Sequence, residues 1–549
     1  MAQRRGTPAE VRGAGNRTLH FSIRLPKALV KDGKGDLRVR YGFVIDQDRC
    51  IGCHACTVAC KEEHNVAVGV FRTWVKYIEK GAYPNVSRHF GVMRCNHCDA
   101  APCIEICPTS ALFKRDNGIV DFDNSRCIGC KSCMQACPYD ALYIDPATST
   151  AAKCNFCAHR VEANIEPACV IVCPTQAIVT GDLDDPQSRV SRIVATGKVA
   201  TRKPHKGTQP KLFYVGIEGD LLAPSMMRPE PSAMWADHNP LSDGRPATGD
   251  DARSAAPGSA RIVYDVARAA PWGAIPAAYL WTKSIAAGVP LAAALLLGLG
   301  GAAAGDELLL GVASPLLALG FLAATVVLLI ADLKQPWRFY YLITKPNLRS
   351  WLVWGAYILM IYGALALGWF ACGFFLGSIP PALAIAAAAF AICSACYSAF
   401  LFAQAKARDL WQSPVFIWHL LVQALIGGAA LLIIAAVALG AGPATIFAAA
   451  RILLAALAIG LVMILIELAL PPMSEDFRRA ADLISRGELS VRFWLAVVLI
   501  GTIVPGGLLA VGLAERTRAL MAAAALLGLM GLWVFENIFI KAGQAVPLS

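Results

Sequence analysis

Apolar residues are spread unevenly along this chain. Residues 1 to about 280 are polar, whereas residues 281–549 hold nearly all the long apolar runs. Runs of about 20 residues, the length a bilayer core requires, occur eight times. They lie roughly at 282–304, 307–331, 351–376, 380–403, 414–439, 443–470, 491–513 and 518–540. This pattern predicts an all-α polytopic membrane bundle of eight helices over 281–549. Residues 241–260, "LSDGRPATGDDARSAAPGSA", lack hydrophobic periodicity and open a predicted linker over 241–280. Nothing between 181 and 280 is apolar for long enough to span a bilayer, so the polar half must lie on the side where the first span begins.

Composition sharpens this division. The chain has 549 residues, 56% of them hydrophobic and 16% charged, with a mean hydropathy of +0.51. The net charge of +11 does not point to nucleic acid. Ten Lys/Arg lie in a basic N-terminal arm at 1–40, and much of the rest sits in loops between apolar runs. Loops on one side of the predicted bundle carry ten Lys/Arg and those on the other carry two. The positive-inside rule then places the basic loops, and the polar half with them, in the cytoplasm of a bacterial inner membrane. The pair Arg4-Arg5 is not followed by an apolar stretch, so the start reads as a solvated arm rather than an export signal.

The polar half carries the chemistry. It holds 16 of the 19 cysteines, in four groups. These are Cys50, Cys53, Cys56, Cys60; Cys95, Cys98, Cys103, Cys107; Cys127, Cys130, Cys133, Cys137; and Cys154, Cys157, Cys169, Cys173. Spacing of the C-x2-C-x2-C-x3-C-P kind wraps three corners of a cubane and sends a fourth thiolate to a neighbouring cluster. The C-x3-C-P ending recurs at Pro108, Pro138 and Pro174, which argues against structural zinc. A disulfide framework would need an oxidising compartment, which the cytoplasmic placement does not supply. "CIGC" occurs at 50–53 and again at 127–130, and "PCIEICPTSAL" at 102–112 is echoed by "ACVIVCPTQAI" at 168–178. The duplication predicts an α+β tandem ferredoxin-like domain over 41–240, and sixteen thiolates predict four [4Fe–4S] clusters.

Residues 41–215 resemble the four-cluster electron-transfer subunits of the molybdopterin oxidoreductase superfamily, such as those of dimethyl sulfoxide and polysulfide reductases. The resemblance implies four ligand sets. Cys50, Cys53 and Cys56 would share a cluster with Cys173, and Cys154, Cys157 and Cys169 one with Cys60. Cys95, Cys98 and Cys103 would pair with Cys137, and Cys127, Cys130 and Cys133 with Cys107. The first group departs from the pattern in ending Cys60-Lys61 rather than Cys-Pro.

The motifs "DLKQPWRFYYLITKPNLRSW" and "ARDLWQSP", set among eight predicted spans, resemble the NrfD/polysulfide reductase membrane-subunit family. That resemblance implies electron exchange between iron–sulfur clusters and the membrane quinone pool without haem. The membrane half has one histidine, so it cannot supply a bis-His haem pair. Ionisable residues within spans are functional candidates. Asp332, His419, Glu467, Glu536 and Lys283 are expected near helix ends on the cluster side, with Trp418, as a quinone site. Arg451, in the opposite half, is expected to be a packed and paired arginine, and no proton-pumping path is expected. Cys393 and Cys396 read as small residues at a helix interface.

Together these readings describe a fused electron-transfer and membrane-anchor subunit in contact with membrane lipid. Its partner would be a molybdopterin-type catalytic subunit, its acceptor quinone, and its favoured substrate an inorganic sulfur compound such as sulfite. One rival is a ferredoxin:quinone hub without molybdenum. A second, a redox-sensing transporter, lacks matched Gly/Pro-interrupted spans.

Overall fold

The computed structural model describes residues 39–82, 84–222, 228–229, 260–268, 270–301 and 306–549. Most of the basic arm, and the connector up to residue 259, lie outside the described residues.

In the cysteine-bearing half, β1 (Tyr41–Asp46) buries Phe43, Val44 and Ile45 at the centre of a three-stranded sheet. It runs antiparallel to β8 (Ile178–Asp182) and parallel to β9 (Leu212–Val215), so the start of this half is tied to its end. The first and fourth cysteine groups therefore share one lobe. The second and third share the other, which is built on two hairpins. These are β4 (Leu112–Lys114) with β5 (Val120–Phe122), and β6 (Leu142–Asp145) with β7 (Thr150–Lys153). The two ferredoxin-like lobes are nested, not consecutive.

A long hairpin, β2 (Thr73–Ala82) and β3 (Asn85–Arg94), flanks the first lobe. Its outer edge pairs with β11 (Arg261–Tyr264), which in turn pairs with β10 (Arg228–Pro229). The predicted linker over 241–280 is thus structured in its second part. Ile262 packs on the cluster of Trp74, Ile78 and Met93, and the first span begins at Ala274.

Among the described residues eight helices are long and apolar enough to cross a membrane: Ala274–Gly298, Leu308–Ala331, Trp351–Leu376, Pro381–Gln404, Phe416–Ala438, Pro443–Ala469, Arg492–Glu515 and Arg518–Ala545. The first span is the hub, packed against the second, fourth, fifth and eighth. Close approach there depends on small residues, because a Cβ at Gly288 would collide with the carbonyl of Ala424. The sixth span, in contrast, is mostly exposed on the bundle surface, as a lipid-facing helix should be.

The halves are joined through the second and third cysteine groups. Asn347 donates to the Cys107 carbonyl (2.7 Å) and Ser350 to the Ile106 carbonyl (2.7 Å). Arg338 donates to the carbonyls of Cys127 (2.9 Å) and Asn124 (2.7 Å). Arg408 reaches Gln135 (2.8 Å) and the carbonyls of Gln544 and Val546 (3.1 and 3.0 Å). The loop motifs singled out in the sequence are therefore clamps on the cysteine loops.

Candidate functional site

The repeated "CIGC" builds the same backbone twice. Gly52 and Gly129 have φ of +69° and +70°, and His54 and Lys131, just after the second cysteine, have φ of 60° and 63°. Left-handed residues turn the chain sharply enough to aim amides at sulfur, and glycine adopts them without a Cβ penalty. The amides of Gly52 and Gly129 bond the Cys50 and Cys127 thiols. Gly129 is doubly constrained, since a Cβ there would sit 3.0 Å from the Lys334 amide nitrogen of the membrane half.

The thiols gather into four sets. Cys50 stands near Cys53, Cys56 and Cys173, at the most exposed place of the four. Cys60 stands near Cys154, Cys157 and Cys169. Cys103 faces Cys95, Cys98 and Cys137, and Cys133 faces Cys107, Cys127 and Cys130. Successive sets lie within electrostatic reach of one another: Cys56 of Cys169, Cys154 of Cys95, and Cys103 of Cys133. The sets form a line from an exposed end to the membrane half.

Burial pushes the Cys56 and Cys157 thiols up to about 12 and Cys137 up to about 11. Such groups hold their protons at neutral pH, and iron binding releases them. In a cubane each of four irons takes one thiolate, so the sulfurs stand apart; zinc draws its ligands onto one ion. Among the described residues no three His, Cys, Asp or Glu side chains converge on a single ion. All 19 cysteines are free. Sets of four thiols that stand apart fit cubanes.

Buried cations line the row. Arg94, fully buried, donates to Cys169 Sγ at 3.2 Å. Lys153, also fully buried, donates to the carbonyl of Cys154 at 2.8 Å. His64 Nε2 lies 3.2 Å from Cys157 Sγ.

At the membrane end of the row lies an apolar cavity of about 270 Å³. Cys130 and Ser132 line it from the cysteine half; Trp272, Tyr279, Asp332 and Tyr397 line it from the membrane half. Asp332 pairs with Lys131 at 2.8 Å, across the boundary between the halves. A larger depression of about 420 Å³ on the cysteine half is lined by Arg40, Asp99 and Lys211, is open, and contains no thiol.

The five predicted quinone residues do not form one site. Only Asp332 lines the large cavity. Lys283 and Glu536 sit nine residues inside the helix ends at Ala274 and Ala545, about 13 Å deep at 1.5 Å per residue. They are buried inside the bundle, not at helix ends. Lys283 donates to the Ala395 carbonyl (2.9 Å) and Ser398 Oγ (2.7 Å), beneath the Tyr397 ring. His419 and Glu467 pair at 3.0 Å in a separate cavity of about 80 Å³ among Phe416, Phe477, Phe535 and Phe539. Trp418 is 61% exposed and lines neither cavity. Arg451, expected to be packed, is exposed on the bundle surface, where a long side chain snorkels. Sequence reasoning missed Lys131, Tyr279, Trp272 and Tyr397. Lys131 had a local signal, being the residue right after a "CIGC" motif that ends in an expected ligand.

Comparison with known proteins places these features. Residues 263–547 match the family model "Polysulphide reductase, NrfD". Residues 86–183 match a 4Fe-4S dicluster domain and residues 41–62 a 4Fe-4S binding domain. The chain is 44% identical over 206 residues to a tetrathionate reductase subunit of Salmonella typhimurium, covering 37% of this chain and 82% of that protein. It is 40% identical over 179 residues to a polysulfide reductase chain of Wolinella succinogenes, covering 32% and 94%. To the arsenate respiratory reductase iron-sulfur subunit ArrB of Shewanella it is 36% identical over 227 residues, covering 32% and 96%.

Proposed function

The chain belongs to the polysulphide reductase NrfD family, with a 4Fe-4S dicluster domain on the same polypeptide, and we propose that it carries electrons between a separate molybdopterin-type catalytic subunit and membrane quinone. Its four thiol sets would hold four [4Fe–4S] clusters, with the ligands Cys50, Cys53, Cys56, Cys173; Cys60, Cys154, Cys157, Cys169; Cys95, Cys98, Cys103, Cys137; and Cys107, Cys127, Cys130, Cys133. Clusters of this kind supply one-electron transfer. The observation that carries the reading is that Cys130, at the inner end of the row, shares a cavity wall with Asp332 and two tyrosines.

Quinone reduction takes two electrons and two protons. The cavity is lined mainly by apolar side chains, which suit a quinone ring and exclude bulk water. Asp332, held by its ion pair with Lys131, and Tyr279 and Tyr397 offer the polar contacts that fix a head group and deliver protons. The exposed end, at Cys50 and Cys53 with Ile51 at 58% exposure, is the natural docking point for the catalytic partner. The basic loops favour the cytoplasmic side for the cluster half. Tetrathionate and polysulfide in the names of similar proteins support an inorganic sulfur substrate. Sulfite oxidation with quinone reduction is the form we favour.

The test is metal analysis of the complex isolated from native membranes through a tag on this chain. Molybdenum or tungsten beside about sixteen irons per chain would support the three-part enzyme. Iron at that level with neither metal would leave a ferredoxin:quinone hub.

A further inference from the structure

We propose that Arg94 is a tuning residue which raises the reduction potential of the cluster held by Cys60, Cys154, Cys157 and Cys169, and to a lesser degree that of its neighbour at Cys56. The inference rests on the ligand sets assigned above. It does not depend on quinone or on the nature of the partner subunit.

Arg94 closes β3, opposite Thr73 of β2, and has no exposed surface. One face of its guanidinium lies 4.6 Å from the Phe43 ring, and Nη1 donates to Cys169 Sγ at 3.2 Å. Its Nε and Nη2 are buried without a hydrogen-bond partner among the described residues. Sulfur surrounds the group: Cys169, Cys154 and Cys56 all lie within electrostatic reach. A permanently charged group with five donors is costly to bury unless negative charge compensates it. Two thiolate sets bearing clusters provide that charge, and their acceptor sulfur accounts for the two idle donors.

The electrostatic consequence has a definite sign. Reduction adds one negative charge to a cluster, and a fixed positive charge in a low-dielectric interior stabilises the more negative state. Net charge and hydrogen bonds to sulfur are among the factors that set such potentials. One electron enters as the preceding cluster loses one, with no proton or co-reactant at Arg94. Lys153 serves the next set: it hydrogen-bonds Cys95 and donates to the backbone carbonyls of Val120 and Cys154. Arg94 is the cation bonded to a thiol sulfur of the Cys60 set, and it also lies within electrostatic reach of Cys56 in the outer set.

The experiment is an EPR-monitored redox titration of the full-length chain in its native complex, comparing wild type with Arg94→Met and Arg94→Lys. Arg94→Met should lower one cluster's midpoint by at least tenfold in its one-electron equilibrium, about 59 mV. A second cluster should shift less in the same direction, and the other two should stay put. Arg94→Lys keeps the charge and should stay close to wild type. Unchanged midpoints in a Met variant with full iron content would overturn the proposal, as would an equal shift of all four. If the Met variant fails to assemble, Arg94→Lys decides: full iron with a tenfold or greater fall would show that the charge is not the tuning element.

Discussion

The two halves of this molecule hold their functional atoms by opposite means. In the cysteine half, position is set within a few residues: "CIGC" places two cysteines and a glycine at φ near +70°, and the loop then shapes itself around sulfur. In the membrane half, position is set between helices that are distant in sequence. Lys283 of the first span finds Ser398 of the fourth, and His419 of the fifth finds Glu467 of the sixth. Local motifs are therefore a sound guide to the wire and a poor one to the cavity at its end.

The halves should part most clearly when a thiolate is removed at their boundary. Cys133→Ala should eliminate the cluster nearest the membrane, lowering iron from about sixteen to about twelve per chain. Quinone reduction should stop, while the three outer clusters still give reduced EPR signals.

Within the membrane half, Asp332 and His419 should separate. Asp332→Ala removes a charge-assisted bond of about 1.5–3 kcal/mol and leaves Lys131 unpaired. Quinone kcat/KM should fall on the order of ten- to a hundredfold at constant iron content. His419→Phe, in the other cavity, should change it by less than about twofold, since about 1.36 kcal/mol is needed for each decade. Equal losses in steady-state assays would place both residues in one site.

The clamp between the halves is the next test. Arg408→Met forfeits bonds to Gln135 and to the carbonyls of Gln544 and Val546. It should destabilise the folded chain by about 2–3 kcal/mol, read as an earlier thermal transition in detergent, with cluster potentials unaltered.

A weaker effect should come from pH. Burial pushes Lys203 down to about 8, with Asp476 at 3.8 Å only partly offsetting the cost. Between that value and the ordinary lysine value of about 10.4, the unfolded chain holds more protons at this position than the folded one. Stability from this group therefore rises with pH across that window. Lys203→Met should be more stable than wild type at pH 7, and the advantage should shrink as pH approaches 10 in thermal melts.

Much of the architecture was legible in the sequence. Eight spans follow from run length alone and four cysteine groups from ligand spacing, whereas the division of the sixteen thiols into cubane sets is what the family resemblance implies. The nesting of the lobes is carried only by the resemblance, whose ligand sets join the first group with the fourth; β1 and β8 pair across more than 130 residues and neither strand carries a signal for the other. Lys283 and Glu536 were misplaced for a specific reason. The first run was counted from 282 and the last to 540, whereas the helices extend to Ala274 and Ala545 through amphipathic residues such as Tyr279 and Gln544. Hydropathy trims such ends, and a trimmed end makes a deep residue look shallow. Tyr279 and Tyr397 were invisible for another reason: an aromatic in an apolar run reveals neither its depth nor its facing neighbour.

Whether the wire ends at the cavity beside Cys130 is decided by photo-crosslinking an azido-quinone to the intact complex and mapping the labelled peptides by mass spectrometry. Label is expected on the segments that line that cavity: the stretches around Trp272–Tyr279, Leu322–Ile343 and Tyr397. Label confined to the His419–Glu467 cavity, or none that an excess of native quinone competes away, would refute this placement of the quinone.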